Sequence, residues 1–175
     1  MNIRILLMGH PNVGKSAVFN RLSGANATES NYPGTTVGFE KSFVYVDGRE
    51  TEIIDVPGTF SFTPKDRAEE VALEIFEKER DSVVICVVDA TKIERGLYLA
   101  LEILERGRPV VIALNMWDVA KDKEIAIDHK KMSDLLGVDV IPTIAVSGFG
   151  MKELLSAVPN AKKMDVKKIM GNALR

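Results

Sequence analysis

Residues 9–16 have the sequence GHPNVGKS, in which two glycines five positions apart are followed by a lysine and a serine. Gly9 and Gly14 allow the backbone to turn and to approach an anion without a Cβ clash. The apolar run IRILLM before this segment predicts a strand, and AVFNRL after it predicts a helix whose N-terminal amides and dipole attract phosphate. Lys15 then reaches the terminal phosphates, and the Ser16 hydroxyl ligates Mg²⁺. The segment therefore predicts a nucleoside triphosphate site. Its other residues and the alanine that follows it are also expected to contact the nucleotide: His10, Pro11, Asn12, Val13 and Ala17.

The segment ALNMWD, residues 113–118, indicates which base is bound. An aspartate such as Asp118 accepts hydrogen bonds from both the N1–H and the N2 amine of guanine, a pairing that adenine cannot offer. We expect Asn115 either to meet guanine N7 or to brace the loop, with Met116 beside the base. In AVSGFG, Ser147 and Gly148 are expected to offer backbone N–H groups to the guanine carbonyl. The alternatives are a helix cap for the first segment and a plain strand-to-helix turn for the second.

Two polar stretches without periodicity, 25–37 and 57–66, interrupt the regular pattern. The second follows DVPG, in which Asp55 is expected to hold Mg²⁺ through water and the Gly58 N–H to sense the γ-phosphate. The first ends in GTTV, where a threonine hydroxyl would complete the Mg²⁺ shell. Long loops in a compact domain are usually functional or mobile, so we interpret both as switches that the γ-phosphate orders.

The composition restricts the classes of protein to which the chain can belong. Its 175 residues suffice for one well-buried domain, and a net charge of -2 leaves no broad basic surface for nucleic acid. The single cysteine, Cys86, lies in an apolar run and fits a reducing compartment. No run approaches the roughly 20 apolar residues of a membrane span, so we expect a cytoplasmic protein. His10, His129 and Cys86 form no ligand-spaced cluster, so the sequence contains no recognisable metal-transport site.

Apolar runs alternate with amphipathic stretches, which predicts an α/β fold with helices on both faces of a mostly parallel sheet. Asp-Gly within VDGRE, 46–50, predicts a hairpin that makes one strand antiparallel. Six strands are expected, at about 2–9, 38–46, 50–56, 82–89, 109–115 and 139–146. Five helices are expected, at about 15–23, 66–79, 93–106, 129–136 and 150–158.

The chain divides into a predicted nucleotide-binding domain over 1–160 and a tail over 161–175. In the tail, apolar residues recur at helical spacing behind Asp165, which is a candidate N-cap. This pattern predicts a short amphipathic helix. It either docks on its own domain or begins a helical domain that the chain lacks.

Together these motifs resemble a small regulatory GTPase, and in detail the N-terminal G domain of FeoB-type ferrous iron transporters, of the potassium-activated TrmE-Era-EngA-like class. The resemblance extends over residues 3–158 and implies the P-loop GTPase (Ras-like) fold. It is carried by four segments: GHPNVGKSAVFNRLSG, NYPGTTVGFEKSF, DVPGTFSF and VVDATKIERGLYLALEILERGRPVVIALNMWD.

The family implies roles for residues of the first switch. Thr36 is the expected Mg²⁺ ligand of that loop, whereas Thr35 occupies a variable position, and the loop places Gly34, Thr35 and Thr36 at the nucleotide. Asn12 resembles the asparagine that ligates K⁺ beside the phosphates. Carbonyl groups around Ser30 and Tyr32 would cap the same ion.

The sequence departs from the family pattern at a few positions. His10 stands where the family usually has asparagine, and we expect it to be a loop residue that faces solvent. Tyr32 replaces a tryptophan, and Thr35 a valine. Met116 stands where the N-K-x-D motif has lysine, so the aliphatic cover over the base must differ.

The resemblance implies slow, K⁺-stimulated hydrolysis of GTP to GDP and phosphate. Thr59 and Phe60 stand where Ras-like enzymes have a water-orienting glutamine, so backbone groups would place the water. Arg67 is the nearest candidate for an arginine finger. The residues expected to act in catalysis are Lys15, Asn12, Thr36 and Gly58.

The expected partners are GTP and GDP, together with a membrane transport domain or helical regulatory domain absent from this chain. The full-length protein would therefore act at the cytoplasmic face of the cell membrane. Nucleic acid is not expected as a partner. Two alternatives are a free-standing GTPase of the Era or MnmE type, which acts on RNA or ribosomes, and a module that binds GTP without turnover.

Overall fold

The fold is built on one mixed β-sheet. The computed structural model describes residues 3–24 and 26–164, and within these the sheet has seven strands in the order β2-β3-β4-β1-β5-β6-β7. The strands are β1 (Arg4–Gly9), β2 (Thr28–Asn31), β3 (Gly38–Val46), β4 (Arg49–Asp55), β5 (Val83–Asp89), β6 (Val110–Asn115) and β7 (Asp139–Pro142).

Strands β1 and β4 to β7 run parallel to one another, whereas β3 is antiparallel to both of its neighbours. The β3–β4 hairpin closes on the pair Val46 and Arg49. Between them, Asp47 and Gly48 have φ angles of 49° and 73°. This is the two-residue turn with positive φ at both positions that Asp-Gly favours, so the predicted hairpin is confirmed.

Helices cover both faces of the sheet. One face packs against α1 (Lys15–Ser23) and α6 (Met151–Ala157), and the other against α2 (Arg67–Lys78) and α3 (Ile93–Glu105). Two shorter helices, α4 (Trp117–Asp122) and α5 (His129–Leu136), lie beyond β6 and beside β7. Every residue of β5 and of β6 is buried, as expected for strands with both faces covered.

The main difference from the predicted elements is a seventh strand. β2 falls within the stretch 25–37, which was predicted to be a loop, and its sequence TESN has no apolar alternation that could indicate a strand. It forms because the backbone pairs with the edge of β3. α4 was also missed, since its six residues are too few to show a helical period. β7 ends at Pro142, four residues earlier than predicted.

One predicted element lies outside the residues that the structure describes. The amphipathic helix predicted behind Asp165 is outside the described part of the chain. Within the described part, no helix is long and apolar enough to cross a membrane.

Candidate functional site

The predicted phosphate-binding loop connects the end of β1 to the start of α1. Gly14 has a φ of 83° and is the N-cap of α1, so the first amides of the helix face the loop. Asn12 has a φ of 66°, a conformation that asparagine tolerates better than most residues. Val13 is buried and Ala17 packs beside it, so these two residues have only their backbone to offer a nucleotide.

Lys15 and Asp55 form an ion pair at the centre of the site. Their side chains are only 11% and 9% exposed. Burial raises the pKa of the Asp55 carboxyl above its ordinary value, and the charge and hydrogen bond of Lys15 oppose that rise. The structure thus brings together the two charged groups that the sequence assigned to phosphate and to Mg²⁺.

Two adjoining cavities open on either side of Lys15. The cavity over the phosphate-binding loop has a volume of about 370 Å³ and is lined by His10, Pro11, Asn12, Gly14, Lys15, Ser16 and Gly58. The cavity under residues 28–40 has a volume of about 330 Å³, and its lining includes Lys15, Thr36 and Asp55. Most of the predicted phosphate and metal ligands therefore line these two cavities, which share Lys15 and are together called the cleft.

The stretch 57–66 is held against the phosphate-binding loop by its own backbone. Gly58 lies so close to Pro11 that an added Cβ would be 3.1 Å from the proline ring. The Thr59 N–H donates to the Gly9 carbonyl at 3.1 Å, and the Thr59 hydroxyl donates to the Ser61 carbonyl at 3.0 Å. Thr59 is fully buried, so its hydroxyl is not presented to the cleft.

Glu69, a residue that sequence analysis missed, anchors the same stretch. Its buried carboxylate accepts the Phe60 N–H at 3.0 Å and the Lys65 N–H at 2.7 Å. Asp66 caps the helix by accepting the Glu69 N–H at 2.8 Å. The spacing D-x-x-E is that of a capping box and could have singled out Glu69, although its contact with Phe60 could not have been foreseen.

A second anchor of this stretch comes from α3. The Glu102 carboxylate accepts the Phe62 N–H at 3.0 Å. The Arg106 guanidinium lies 3.7 Å from the centre of the Phe62 ring, and Phe62 also packs edge-on against Phe76 of α2. Both helices of this face therefore hold the stretch 57–66.

The expectation that His10 faces solvent is wrong. The side chain is buried, and its Nε2–H donates to the Phe60 carbonyl at 3.1 Å. The two rings pack with their centres 5.0 Å apart. Burial lowers the pKa of His10, and the nearby charge of Arg95 acts in the same direction, whereas the Phe60 hydrogen bond and Glu69 oppose it. His10 therefore links the phosphate-binding loop to 57–66.

The two threonines of the first switch differ in their surroundings. The Thr35 hydroxyl donates to the Tyr32 carbonyl at 2.9 Å and accepts the Val37 N–H at 3.2 Å, so it is used within the loop. Thr36 is exposed and lines the cavity that contains Lys15 and Asp55. Gly34 and Thr35 were both predicted to contact nucleotide, but neither lines that cavity.

Asn115 braces the loops around the site, which was one of its two predicted roles. Its Nδ2 donates to the Val13 carbonyl at 3.1 Å. Its Oδ1 accepts the Ala145 N–H at 3.2 Å and the Thr143 hydroxyl at 3.3 Å. A Cβ on Gly14 would overlap the Asn115 amide. One buried side chain thus joins the phosphate-binding loop to the two segments predicted to bind the base.

The residues that follow Asn115 present an exposed carboxylate. Met116 has a φ of 57° and is the N-cap of α4, and Asp118 is exposed in the first turn of that helix. The Met116 methyl group lies 3.7 Å from where a Gly14 Cβ would be, so it packs beside the predicted phosphate-binding loop.

The prediction that Gly148 offers its amide to guanine needs correction. The Gly148 N–H donates to the Ile144 carbonyl at 2.9 Å, which closes a tight turn after β7. The Ser147 side chain stays within the same turn, with its hydroxyl 3.3 Å from the Ile144 carbonyl. Of the two predicted donors, the backbone amide of Ser147 is the one that this turn leaves for a base.

Arg21, at the end of α1, also contacts this turn. Its Nε donates to the Ala145 carbonyl at 3.0 Å, and its Nη2 donates to the Val146 carbonyl. Its side chain also lies along Gly148, 3.6 Å from where a Cβ would be. No pattern in the sequence pointed to Arg21, because its partners are carbonyl groups 124 and 125 residues away.

Comparison with known proteins gives consistent matches over this whole region. The family model described as ferrous iron transport protein B matches residues 3–158. An Fe(2+) transport protein A/Fe(2+) transporter FeoB fusion protein of Porphyromonas gingivalis is 40% identical over 157 residues, which are 89% of this chain and 19% of that protein. This chain spans about a fifth of the length of the curated relatives that it matches.

Two solved structures are similar throughout the fold. The cytosolic domain of L. pneumophila FeoB has a TM-score of 0.88 at 36% identity and covers 93% of this chain and 70% of its own. The cytosolic domain of the T. maritima FeoB iron transporter, in its GMPPNP form, has a TM-score of 0.87 at 34% identity, with coverages of 94% and 67%. The predicted P-loop GTPase fold agrees with these structures.

Proposed function

Because the chain belongs to the ferrous iron transport protein B family, we propose that it binds GTP and GDP and hydrolyses GTP slowly, as the cytoplasmic G domain of a ferrous iron transporter. One observation carries the proposal. Asn115 joins the phosphate-binding loop to the predicted base-binding segments, next to a cleft in which Lys15, Asp55 and Gly58 converge. The GMPPNP form of the T. maritima relative supports a guanine nucleotide as the ligand.

The base would be recognised from two sides. The exposed Asp118 carboxylate would accept from the N1–H and N2 amine of guanine, and the Ser147 amide would donate to its carbonyl. The phosphates would lie against the amides at the start of α1, with Lys15 turning from Asp55 to their oxygens. The Lys15 side chain already lines both cavities of the cleft, so a small movement would bring it to the phosphates.

The donors around the cleft fit Mg²⁺, which prefers oxygen ligands. The Ser16 hydroxyl lines one cavity of the cleft, and the Thr36 hydroxyl and the Asp55 carboxylate line the other. Bound Mg²⁺ would neutralise charge on the β- and γ-phosphates. The three side chains would hold their oxygens near the phosphates. Asp55 would then release Lys15, to which it is bonded in this structure, and face the metal ion.

Asn12 fits a monovalent cation beside the phosphates. It is exposed, and it lines the same cavity as Lys15 and Ser16. We propose that its side-chain oxygen holds K⁺. Tyr32, in the segment expected to cap that ion, replaces the tryptophan of related sequences.

Two other side chains in or next to the loop 57–66, those of Arg67 and Thr59, are engaged by other groups, which favours slow turnover of GTP. Arg67 is bound to Glu70 and Glu74 on the surface of α2, at 2.8 and 2.9 Å, and so is already engaged by two carboxylates. Thr59 is buried within its own loop. Lys15 and backbone amides such as that of Gly58 would therefore position the water and stabilise the developing charge.

The nucleotide state would be relayed through the loop 57–66, which is held by His10, Glu69 and Glu102. We propose that this loop signals to a membrane transport domain, or to a helical domain, elsewhere in the full-length protein. The match to FeoB relatives favours this role over that of an RNA- or ribosome-associated GTPase.

The experiment that tests the proposal compares steady-state GTP hydrolysis in potassium chloride and in sodium chloride at equal ionic strength. We expect faster turnover in potassium, and loss of that gain in Asn12→Ala. Asn20→Ala, an exposed asparagine on α1, is the matched control and should keep the gain. Equal rates in both salts would refute the K⁺ site, and binding without turnover would indicate a switch that needs a partner.

The base specificity has its own test. Asp118→Asn should weaken GDP binding and strengthen XDP binding, because the amide can donate to the 2-oxo group of xanthine. Asp122→Asn, an exposed aspartate on the same helix, should leave both affinities unchanged. Tighter binding of ADP than of GDP by the parent chain would contradict guanine recognition.

A further inference from the structure

The structure contains a second connection between the phosphate-binding element and the turn 143–150, formed on the surface by Arg21. Arg21 lies in the last turn of α1, the helix that begins with Lys15. Its guanidinium donates to two successive carbonyl groups, those of Ala145 and Val146. A planar guanidinium can engage two acceptors at fixed angles, which the ammonium of a lysine cannot do.

Holding a carbonyl group also orients an amide. In a trans peptide the C=O and N–H groups of one plane point in opposite directions. The Val146 carbonyl shares its peptide plane with the Ser147 N–H. Since Arg21 draws the carbonyl towards α1, it directs the Ser147 N–H away from that helix.

The other peptide groups of this turn are fixed independently. The Ala145 N–H is held by Asn115, and the Gly148 N–H by the Ile144 carbonyl. Between these anchors, the peptide planes that follow Ala145 and Val146 are the ones that Arg21 engages. The exposed Val146 side chain, 83% accessible, contributes little packing that could hold them.

We infer that Arg21 is a positioning residue for guanine recognition: it orients the Ser147 amide towards the base and slows nucleotide release. This inference rests on the proposed function, since it names a determinant of the same nucleotide site. It also gives α1 two tasks. Its first turn binds phosphate, and its last turn, about 9 Å further along, holds the turn that contacts the base.

The test separates the base from the phosphates. GDP has both, whereas inorganic tripolyphosphate engages the phosphate-binding loop alone. The two affinities are measured by calorimetry for the parent chain, Arg21→Ala, Arg21→Lys and Arg80→Ala, and the GDP release rate by chase of a fluorescent GDP. Arg80 is an exposed arginine beyond the end of α2 and is the matched control.

Arg21→Ala should release GDP about 3- to 10-fold faster and bind it correspondingly more weakly, as expected for the loss of charge-assisted hydrogen bonds at a partly exposed site. Its affinity for tripolyphosphate should not change. Arg21→Lys should lose less than the alanine variant, and Arg80→Ala should behave like the parent.

Three outcomes would overturn the inference. The first is unchanged GDP release in Arg21→Ala. The second is an equal loss of affinity for GDP and tripolyphosphate, which would mean that the variant damages α1 and not the base site. The third is failure of the parent chain to bind GDP at all. This outcome would refute the proposed function itself, and it would be the same for the parent and for every variant.

Discussion

Several side chains that shape the site act on backbone groups and not on a ligand. Asn115, Glu69, His10 and Arg21 each bind carbonyl or N–H groups of a loop. Within the described residues, no buried side-chain polar atom lacks a hydrogen-bond partner. Residues of this kind are hard to predict from sequence, because their partners are brought near by the fold.

The carboxylate of Glu69 provides the most direct test at this scale. Glu69→Gln replaces one acceptor oxygen by an NH₂ group, so one of the N–H groups of Phe60 and Lys65 then faces a donor. We expect a loss of about 1–3 kcal/mol in the free energy of unfolding, measured by urea titration. Glu70→Gln changes an exposed neighbour on the same helix and should have little effect. Equal losses in the two variants would show that the buried contacts of Glu69 do not matter.

Secondary structure was largely predictable because most elements had a clear pattern. The continuous apolar runs of β5 and β6 and the Asp-Gly turn after β3 all indicated their structures correctly. β2 could not be recognised, since TESN forms a strand only by pairing with β3. The phosphate and guanine motifs lie at strand ends as predicted, whereas the contacts of Gly148 and His10 depended on turns whose geometry the sequence does not specify.

Gly96 determines how closely α3 approaches the sheet. An added Cβ would overlap a methyl group of Val88 on β5 and would lie only 3.0 Å from the Val88 Cβ, which is fixed to the strand backbone. Gly96→Ala should therefore destabilise the protein by about 1–3 kcal/mol, although alanine favours a helix more than glycine does. Thermal and urea unfolding measure the change.

Glu105→Ala, at an exposed site on the same helix, is the control for the effect of alanine on α3 itself and should leave stability nearly unchanged. If Gly96→Ala were more stable than the parent, the close packing of α3 on β5 would be refuted.

At the scale of the whole molecule, the cleft lies at the carboxyl ends of the parallel strands. The parallel strands β1, β4 and β6 end there in Gly9, Asp55 and Asn115, which is where open α/β sheets bind ligands. Because β1 and β6 are buried along almost their whole length, the residues at their ends are held in place by the core. Nucleotide binding should accordingly stabilise the fold as one unit.

The reactivity of Cys86 can report on unfolding of the domain. Cys86 is the single cysteine of the chain, it lies in central β5, and complete burial raises the pKa of its thiol to about 12. Since the thiolate is the reactive form, a disulfide reagent at pH 8 should label Cys86 only after the domain unfolds. Adding GDP with Mg²⁺ at about 100 times its Kd should slow labelling about 100-fold where opening is in rapid equilibrium.

The control for this measurement is Lys15→Ala, in which GDP should no longer slow the labelling. Rapid labelling of the parent in native buffer would refute the burial of the thiol. Protection by GDP in Lys15→Ala would show that the nucleotide acts at a different site.

The contact between Gly14 and Asn115 has a consequence for redesign. The space that a side chain at position 14 would need is occupied by the Asn115 amide, so motifs a hundred residues apart share one volume. A larger residue at 115 would push into the predicted phosphate-binding loop at Gly14. We therefore expect a substitution in the predicted base-binding motif to change phosphate affinity as well. A design that transfers the phosphate-binding loop to another protein must therefore also transfer the segment that contains Asn115.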